Sequence, residues 1–315
     1  MPRVPAMTAT PPAVLDRFTA PVQIEMRHVF NGRVDPFYQM ARYHLGWVDQ
    51  HGVAAAGDGG KGLRSTLCLL STEAVGGSVE RVLPAAAALE LVHNFSLVHD
   101  DVQDDSVSRR HRPTVWSLWG KPQAINVGDS LFSLARLALL RLSANAVPSR
   151  HVVHLAVRLD ETCLRLCEGQ YLDMEFQARP HVTLEQYVEM IDGKTAALMA
   201  CACYFGAFLG GYEPAVAGQF HEIGRDLGLA FQIKDDVLGV WGASETTGKP
   251  VADDILSRKK TFPAVYASTK ADPGVRTQLA EIYARPQMAQ RDVAQVLELF
   301  DEAGARAAAE AAARR

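Results

Sequence analysis

Residues 91–110 read LVHNFSLVHDDVQDDSVSRR. Up to His99 the stretch carries no carboxylate, lysine or arginine, and its apolar residues recur at three- and four-residue spacing, the period of a helix with a buried face. It then closes on Asp100, Asp101, Asp104 and Asp105. Carboxylates so crowded repel one another, and a helix dipole is already negative at its C-terminal end. Such an ending calls for positive charge, and Arg109 and Arg110 stand just beyond. Hard oxygen donors suit a divalent ion such as magnesium carrying a phosphorylated ligand.

A second stretch repeats the design. Residues 229–242, LAFQIKDDVLGVWG, run through another apolar helical pattern into the adjacent Asp235 and Asp236. Positions i and i+4 share a helix face, so Asp100 and Asp104 can reach one metal centre. The second cluster has Gly239 where its own i+4 carboxylate would stand, and is the weaker half. Two helices with inward carboxylates across a bundle make a plausible polynuclear metal site. Either pair alone would read as solvated surface; two pairs, each at the end of a buried-looking run, do not.

The rest of the composition narrows the class. The chain has 315 residues, 48% of them hydrophobic and 22% charged, which suits a globular protein with a sizeable core. A net charge of −4 offers no basic field for nucleic acid or anionic lipid. An anionic substrate must therefore be held by local cations and metal. The five cysteines (Cys68, Cys163, Cys167, Cys201 and Cys203) make no zinc-like pair and read as buried small hydrophobes in a reducing cytoplasm. Residues 1–15, rich in Pro, Ala and Thr, lack the apolar core of a signal peptide and read as a disordered tail. The uncharged stretch 195–212 is near the lower limit for a membrane span, but its small residues fit a buried helix better, and no span is expected.

Helical periodicity runs through 20–50, 62–75, 83–104, 126–143, 150–177, 184–211, 216–241, 259–269, 275–283 and 291–313, divided by Gly- and Pro-containing turns. Convincing strand alternation is absent. The expectation is an all-α protein, a single-domain helical bundle over residues 16–315 with a central active-site cavity between helices.

Cations occur where a bound diphosphate would need them. Lys61 and Arg64 (GKGLRS) open a helix after a Gly-rich loop, where backbone N–H groups also favour anions. Arg109 and Arg110 follow the first acidic cluster, Lys194-Thr195 (DGKTAA) begins the uncharged stretch, and Lys249 (TGKP) and Lys259-Lys260 (SRKKTF) follow the second.

Taken in order, KGLR, HNFSLVHDD, DDVQDDSVSRR, GQYLD, GKT, FQIKDD and GKPVADDILSRKK resemble the trans-isoprenyl diphosphate synthases, or polyprenyl synthetases, over roughly residues 30–270. PTVWSLWGKPQAINVGD and VLGVWG are similar to an actinobacterial-type branch. Gly239 departs from the family's usual third aspartate.

The resemblance implies an isoprenoid-synthase bundle and a prenyltransferase of isoprenoid biosynthesis. An allylic diphosphate (dimethylallyl, geranyl or farnesyl) ionises, isopentenyl diphosphate attacks through its alkene, and loss of a proton gives an all-trans product one isoprene unit longer. It implies magnesium, or manganese in its place, held by Asp100, Asp104 and Asp235. Asp101 and Asp236 would be ligands or partners that orient waters. Arg109, Lys194 and Lys259, with Lys249 close by, would clamp the allylic diphosphate; Lys61, Arg64, His93 and Arg110 would hold isopentenyl diphosphate. Thr195 and Gln232 would point oxygen dipoles at the developing cation. No separate protein base is evident, and the released diphosphate is the family's expected proton acceptor. A homodimer is implied as well, with the apolar 126–143 helix as a candidate interface. His99 has no such match and reads as a core histidine.

Product length is argued from the first acidic helix. Phe95 and Ser96 lie one turn below Asp100. A bulky residue there floors the path of the growing tail and a small one opens it. By resemblance, an aromatic at Phe95 with a small Ser96 suits geranylgeranyl diphosphate (C20), with farnesyl diphosphate (C15) second. Two other classes compete: a class I terpene cyclase, which needs no isopentenyl site and carries a different second motif, and a non-catalytic subunit of a heteromeric synthase, suggested by Gly239.

Overall fold

The computed structural model describes residues 13–55, 57, 59–211, 213–242, 253–285 and 287–314. It is helical almost throughout, as the periodicity requires. The chain forms two compact units: one is the chain up to Val157 together with Ala202–Gly218, the other Arg158–Cys201 together with Gln219–Arg315.

In the first unit, α1 (Ala13–His28) and α2 (Pro36–His44) replace the single helix expected over 20–50. The break falls at Gly32, with φ of 76°, and α2 restarts with Pro36 in its first turn, where the missing N–H is harmless. Helix α3 (Leu63–Ala74) leads to α4 (Val79–Gln103), which carries the first acidic cluster. Ala85, Ala86, Ala87, Ala88, Leu89, Leu91 and Val92 are all fully buried. Helix α4 packs against α1, α3 and α6 (Lys121–Leu140), so it is apolar on every side rather than amphipathic.

After α4 the chain makes a two-residue hairpin that sequence periodicity missed. β1 (Ser108–Arg109) pairs antiparallel with β2 (Arg112–Pro113), and the turn residues Arg110 and His111 take φ of 52° and 58°. Two left-handed residues in succession suit the twist of a tight hairpin. They are strained for side chains other than glycine, a condition common at functional sites. The short α5 (Val115–Trp119) leads into α6, and α7 (Ser149–Ala178) begins in this unit and ends in the other.

In the second unit, α8 (Leu184–Ile191) starts on a full capping box, Thr183 with Gln186. It passes through a π turn, Asp192–Ala196, into α9 (Ala197–Gly211), which belongs to this unit up to Cys201 and to the first from Ala202. Helix α10 (Pro214–Trp241) carries the second acidic pair and is followed by α11 (Asp253–Leu256), α12 (Phe262–Lys270), α13 (Pro273–Tyr283), α14 (Gln290–Glu302) and α15 (Ala305–Ala312). Helix α12 begins three residues later than expected because Pro263 takes its first turn. The stretch read as one helix over 291–313 is divided at Gly304, with φ of 65°. Tyr187, Ile233, Val237, Phe262 and Val265 form the apolar floor beneath the second acidic pair.

Helix α4 and the stretch Leu184–Gly211 are long and apolar enough to cross a bilayer, and 72% and 83% of their most apolar windows are buried within the protein. Four cysteines are buried as expected; Cys167 is the exception, on the outward side of α7. The N-terminal stretch read as a tail lies outside the described residues up to position 12, and α1 already begins at Ala13.

Candidate active site

At the end of α4 the two adjacent aspartates part company. Asp101 is 2% exposed and accepts a hydrogen bond from Arg109 Nε at 2.8 Å. Burial pushes its carboxyl up to about 6 against the pull of Arg109, and Asp100 and Asp104 push the same way. Asp100 is partly exposed, and Asp104 closes the helix, its N–H donating to the Asp100 carbonyl at 2.8 Å. Asp105 is drawn off by Lys121.

Three of the four residues expected to hold isopentenyl diphosphate, Arg64, His93 and Arg110, share one electrostatic neighbourhood. Burial holds the His93 imidazole well below its usual range, and Arg64, Arg110, Arg109 and His44 follow as causes. Lys61 is exposed in the loop next to Gly60, and a Cβ at Gly60 would lie 2.5 Å from the Arg110 guanidinium. His93 is therefore a neutral ring among cations, with a proton to donate to an anion or a lone pair to accept.

Two members of this neighbourhood escaped the sequence reading. Glu90, 6% exposed, accepts the backbone N–H of Ser65 at 3.0 Å, so one of the helix N-terminal donors expected to attract a diphosphate is already taken. The same carboxylate opposes the loss of charge that burial imposes on Arg64. His44 has a buried Nε2 without a hydrogen-bond partner among the described residues, and its pKa falls from the ordinary 6.5 to about 3 through burial, then Arg110 and Arg109. It lines a cavity of about 20 Å³ with Asp101, Arg109, Arg110 and Thr114, the size of a single water site. Glu90 shares α4 with His93 at a three-residue step, so its face was legible. Nothing in the surrounding sequence distinguished His44.

Below the cluster, Phe95 is 7% exposed and packs edge-on against Phe132 of α6, ring centres 5.1 Å apart. Ser96 turns its hydroxyl back onto the His93 carbonyl at 2.8 Å. His99 is partly exposed rather than a core histidine: it packs over Gly128, where a Cβ would lie 2.1 Å from its Nε2, and the same nitrogen reaches the Ile125 carbonyl at 3.2 Å.

The second acidic pair divides in the same way. Asp235 is exposed and Asp236 is 4% exposed. Asp236 accepts three hydrogen bonds: from Tyr187 Oη at 2.6 Å, Phe262 N at 2.8 Å and Gln232 Nε2 at 2.9 Å. Burial raises its carboxyl to about 6 in spite of these donors and Lys259. Gln232 in turn accepts from Thr195 Oγ1 at 2.6 Å. Thr195, Gln232, Asp236 and Tyr187 thus form one connected chain, in which Thr195 keeps oxygen lone pairs for a further contact. Lys194 donates to Asp173 at 2.5 Å, and Asp173 is 1% exposed. Asp173 was visible only as the last letter of GQYLD.

Gly239 has a specific neighbour. A Cβ there would lie 2.1 Å from Asp254 Oδ2, so a carboxylate from α11 occupies the space next to the missing side chain. Lys259 sits one short turn on, its N–H donating to the Asp254 carbonyl at 2.9 Å. Lys249 lies outside the described residues. Among the described residues no three carboxylate, histidine or cysteine side chains converge into a closed metal site.

Residues 46–300 match the family model for polyprenyl synthetase. The chain is 40% identical over 293 residues to the geranylgeranyl diphosphate synthase of Mycobacterium tuberculosis (strain ATCC 25618 / H37Rv), covering 93% of this chain and 82% of that protein. It is 42% identical over 287 residues to the (2E,6E)-farnesyl diphosphate synthase of Mycobacterium bovis, covering 90% and 79%. The crystal structure of a polyprenyl synthetase from Streptomyces coelicolor A3(2) matches with a TM-score of 0.88 at 39% identity, over 96% of this chain and 90% of that one. The polyprenyl synthase of Caulobacter crescentus CB15, solved with calcium and isoprenyl diphosphate, matches with a TM-score of 0.81 at 26% identity, over 98% and 90%.

Proposed function

Since the chain belongs to the polyprenyl synthetase family, we propose that it joins isopentenyl diphosphate to an allylic diphosphate and releases a short all-trans prenyl diphosphate, chiefly geranylgeranyl diphosphate. The enzyme is a prenyltransferase. The allylic C–O bond breaks with its electron pair leaving on diphosphate. The alkene pair of isopentenyl diphosphate then forms the new C–C bond, and a proton passes to the released diphosphate.

One observation carries this reading: in each acidic pair the second carboxylate is buried on hydrogen-bond donors and the first is left outward. Asp101 fixes the Arg109 guanidinium, and Asp236 fixes Gln232 and, through it, Thr195. Both carboxylates act by positioning their neighbours. Asp100 and Asp104 in the first unit, and Asp235 in the second, remain as outward oxygen donors for divalent ions. Magnesium, with manganese as the alternative, would supply Lewis acidity and a template for the leaving diphosphate. The donor set fits, because magnesium takes one or two carboxylates and completes its shell with water and phosphate oxygens.

Lys194, Lys259 and Arg109 bind the allylic diphosphate in this reading, and Lys61, Arg64, Arg110 and neutral His93 bind isopentenyl diphosphate. Thr195 and Gln232 present oxygen to the cation. Five thiols without a disulfide suit a reducing cytoplasm. A homodimer is supported by an exposed apolar stripe along α7: Val153, Val157, Leu164, Tyr171 and Met174. Helix α6, the interface candidate in the sequence, buries most of its apolar residues.

Product analysis with isopentenyl diphosphate, magnesium and each primer in turn tests the proposal. A C20 product is expected from the isolated protein. A C15 product would move the chain-length assignment to farnesyl diphosphate. Hydrocarbon from geranylgeranyl diphosphate alone would make the protein a cyclase, and no turnover at all would make it a partner subunit.

A further inference from the structure

Arg165, Asp192 and Arg225 form an ion-paired clamp that the reaction just described leaves unused. Arg165 Nη2 lies 2.6 Å from Asp192 Oδ2, and Arg225 Nε lies 2.6 Å from Asp192 Oδ1. Asp192 is the first residue of the π turn Asp192–Ala196, which carries Lys194 and Thr195. Such turns are rare and concentrate at functional sites.

The turn is gripped between α7 and α10. A Cβ at Gly169 would come 2.1 Å from Lys194 N, and one at Gly228 would come 2.5 Å from Ala196 Cα. Each flanking helix thus presents three residues along one face at steps of three or four: Arg165, Gly169 and Asp173 on α7, and Arg225, Gly228 and Gln232 on α10. One turn before each glycine, an arginine holds Asp192. One turn after, Asp173 takes Lys194 and Gln232 takes Thr195.

We propose that Arg165 and Arg225, acting through Asp192, are positioning residues that set Lys194 and Thr195 for the allylic diphosphate and the cation formed from it. A cleft of about 350 Å³ beside the clamp, lined also by Arg158, Glu161, His221 and Glu222, keeps it in contact with water. An ion pair so solvated is screened and adds little to stability, so its use lies in geometry. The inference rests on the roles of Lys194 and Thr195 given above, and the test separates the two.

Four proteins are compared: wild type, Asp192→Ala, Lys194→Ala and the double variant, each checked by circular dichroism and thermal melting. Asp192→Ala is expected to raise the allylic KM and lower kcat by ~10-fold, with the isopentenyl KM within about twofold of wild type. In the Lys194→Ala background the same change should cost less in allylic kcat/KM than it does in wild type, because one of its two targets is gone. Arg165→Gln combined with Arg225→Gln carries the same test should Asp192→Ala not fold. Additive losses, or unchanged allylic kinetics in a folded Asp192→Ala enzyme, would overturn the clamp. Normal kinetics in Lys194→Ala would instead overturn the lysine's assignment, and the proposal with it.

Discussion

Asp254 Oδ2 stands 2.1 Å from where a Cβ on Gly239 would be, so a carboxylate from α11 fills the space beside this glycine of α10. Position 239 is one helical turn after Asp235, on the same face. A glycine there is the condition for Asp254 to approach. The place that Gly239 leaves open is therefore taken by a carboxylate from another element. Restoring the usual residue with Gly239→Asp should harm the enzyme: two carboxylates would meet in one space, and turnover should fall by ~10-fold or more. Gly239→Asp combined with Asp254→Gly should recover part of it. A fully active Gly239→Asp enzyme in a steady-state assay would show that Asp254 is free to move away.

The buried carboxylates should matter as much as the outward ones. Asp101→Ala releases Arg109, and Asp236→Ala leaves Tyr187, Phe262 N and Gln232 without their acceptor. Each should lower kcat by about 10²-fold or more, because the groups facing the leaving diphosphate and the cation lose their orientation. Asp236→Ala should also lower unfolding free energy by ~1–3 kcal/mol in urea titration, the penalty for buried donors left unpaired. Near-normal rates in both variants would refute the positioning role.

Chain length should follow the packing at Phe95. Its ring is braced by Phe132, so it cannot swing aside as a lone aromatic might. Phe95→Ala should open the path and shift products beyond C20, whereas Ser96→Phe should narrow it and shift them to C15. Chromatography of dephosphorylated products reads both outcomes, and an unchanged distribution in both would place the floor deeper, at Leu89 or Val92.

Acid should expose His44. Its imidazole titrates near 3 in the fold and near 6.5 in the unfolded chain. Between those values the unfolded chain binds a proton that the fold refuses, so its contribution, complete above pH 6.5, is lost as pH falls toward 3. Asp101 and Asp236 act in the opposite sense: their folded values near 6 exceed the ordinary 3.8, so their contribution is complete below about 3.8 and lost as pH rises through 6. The wild type therefore shows only the difference. His44→Gln should gain stability relative to wild type as pH falls from 6.5 to 4, with a slope of up to about 1.4 kcal/mol per pH unit. Parallel stability curves from denaturant melts at pH 7, 6, 5 and 4 would contradict this account.

Much of the fold was legible because helical periodicity is local. The apolar runs ending at Asp100 and Asp235 marked two helices and their chemistry. Where the reading slipped, a single backbone residue decided: Gly32 divided one expected helix, Gly304 another, and the left-handed Arg110 and His111 made a hairpin that no alternation announced. The site residues were legible in identity and less so in role. Asp101 and Asp236 looked like their neighbours, and only burial showed that they face inward.

By its own order of residues, the sequence determined an all-α chain with two acidic pairs, the cations that follow them and the family they belong to. Spacing of three and four along one helix is enough for that. Tertiary structure alone decided which carboxylate of each pair is buried, that Glu90 caps α3, that Asp173 holds Lys194 and that Asp254 lies against Gly239. These partnerships join residues 25 apart for Ser65 and Glu90 and 49 apart for Tyr187 and Asp236. No local period encodes such pairings. They exist because a buried charge must find its donors, and only the packed chain brings the donors to it.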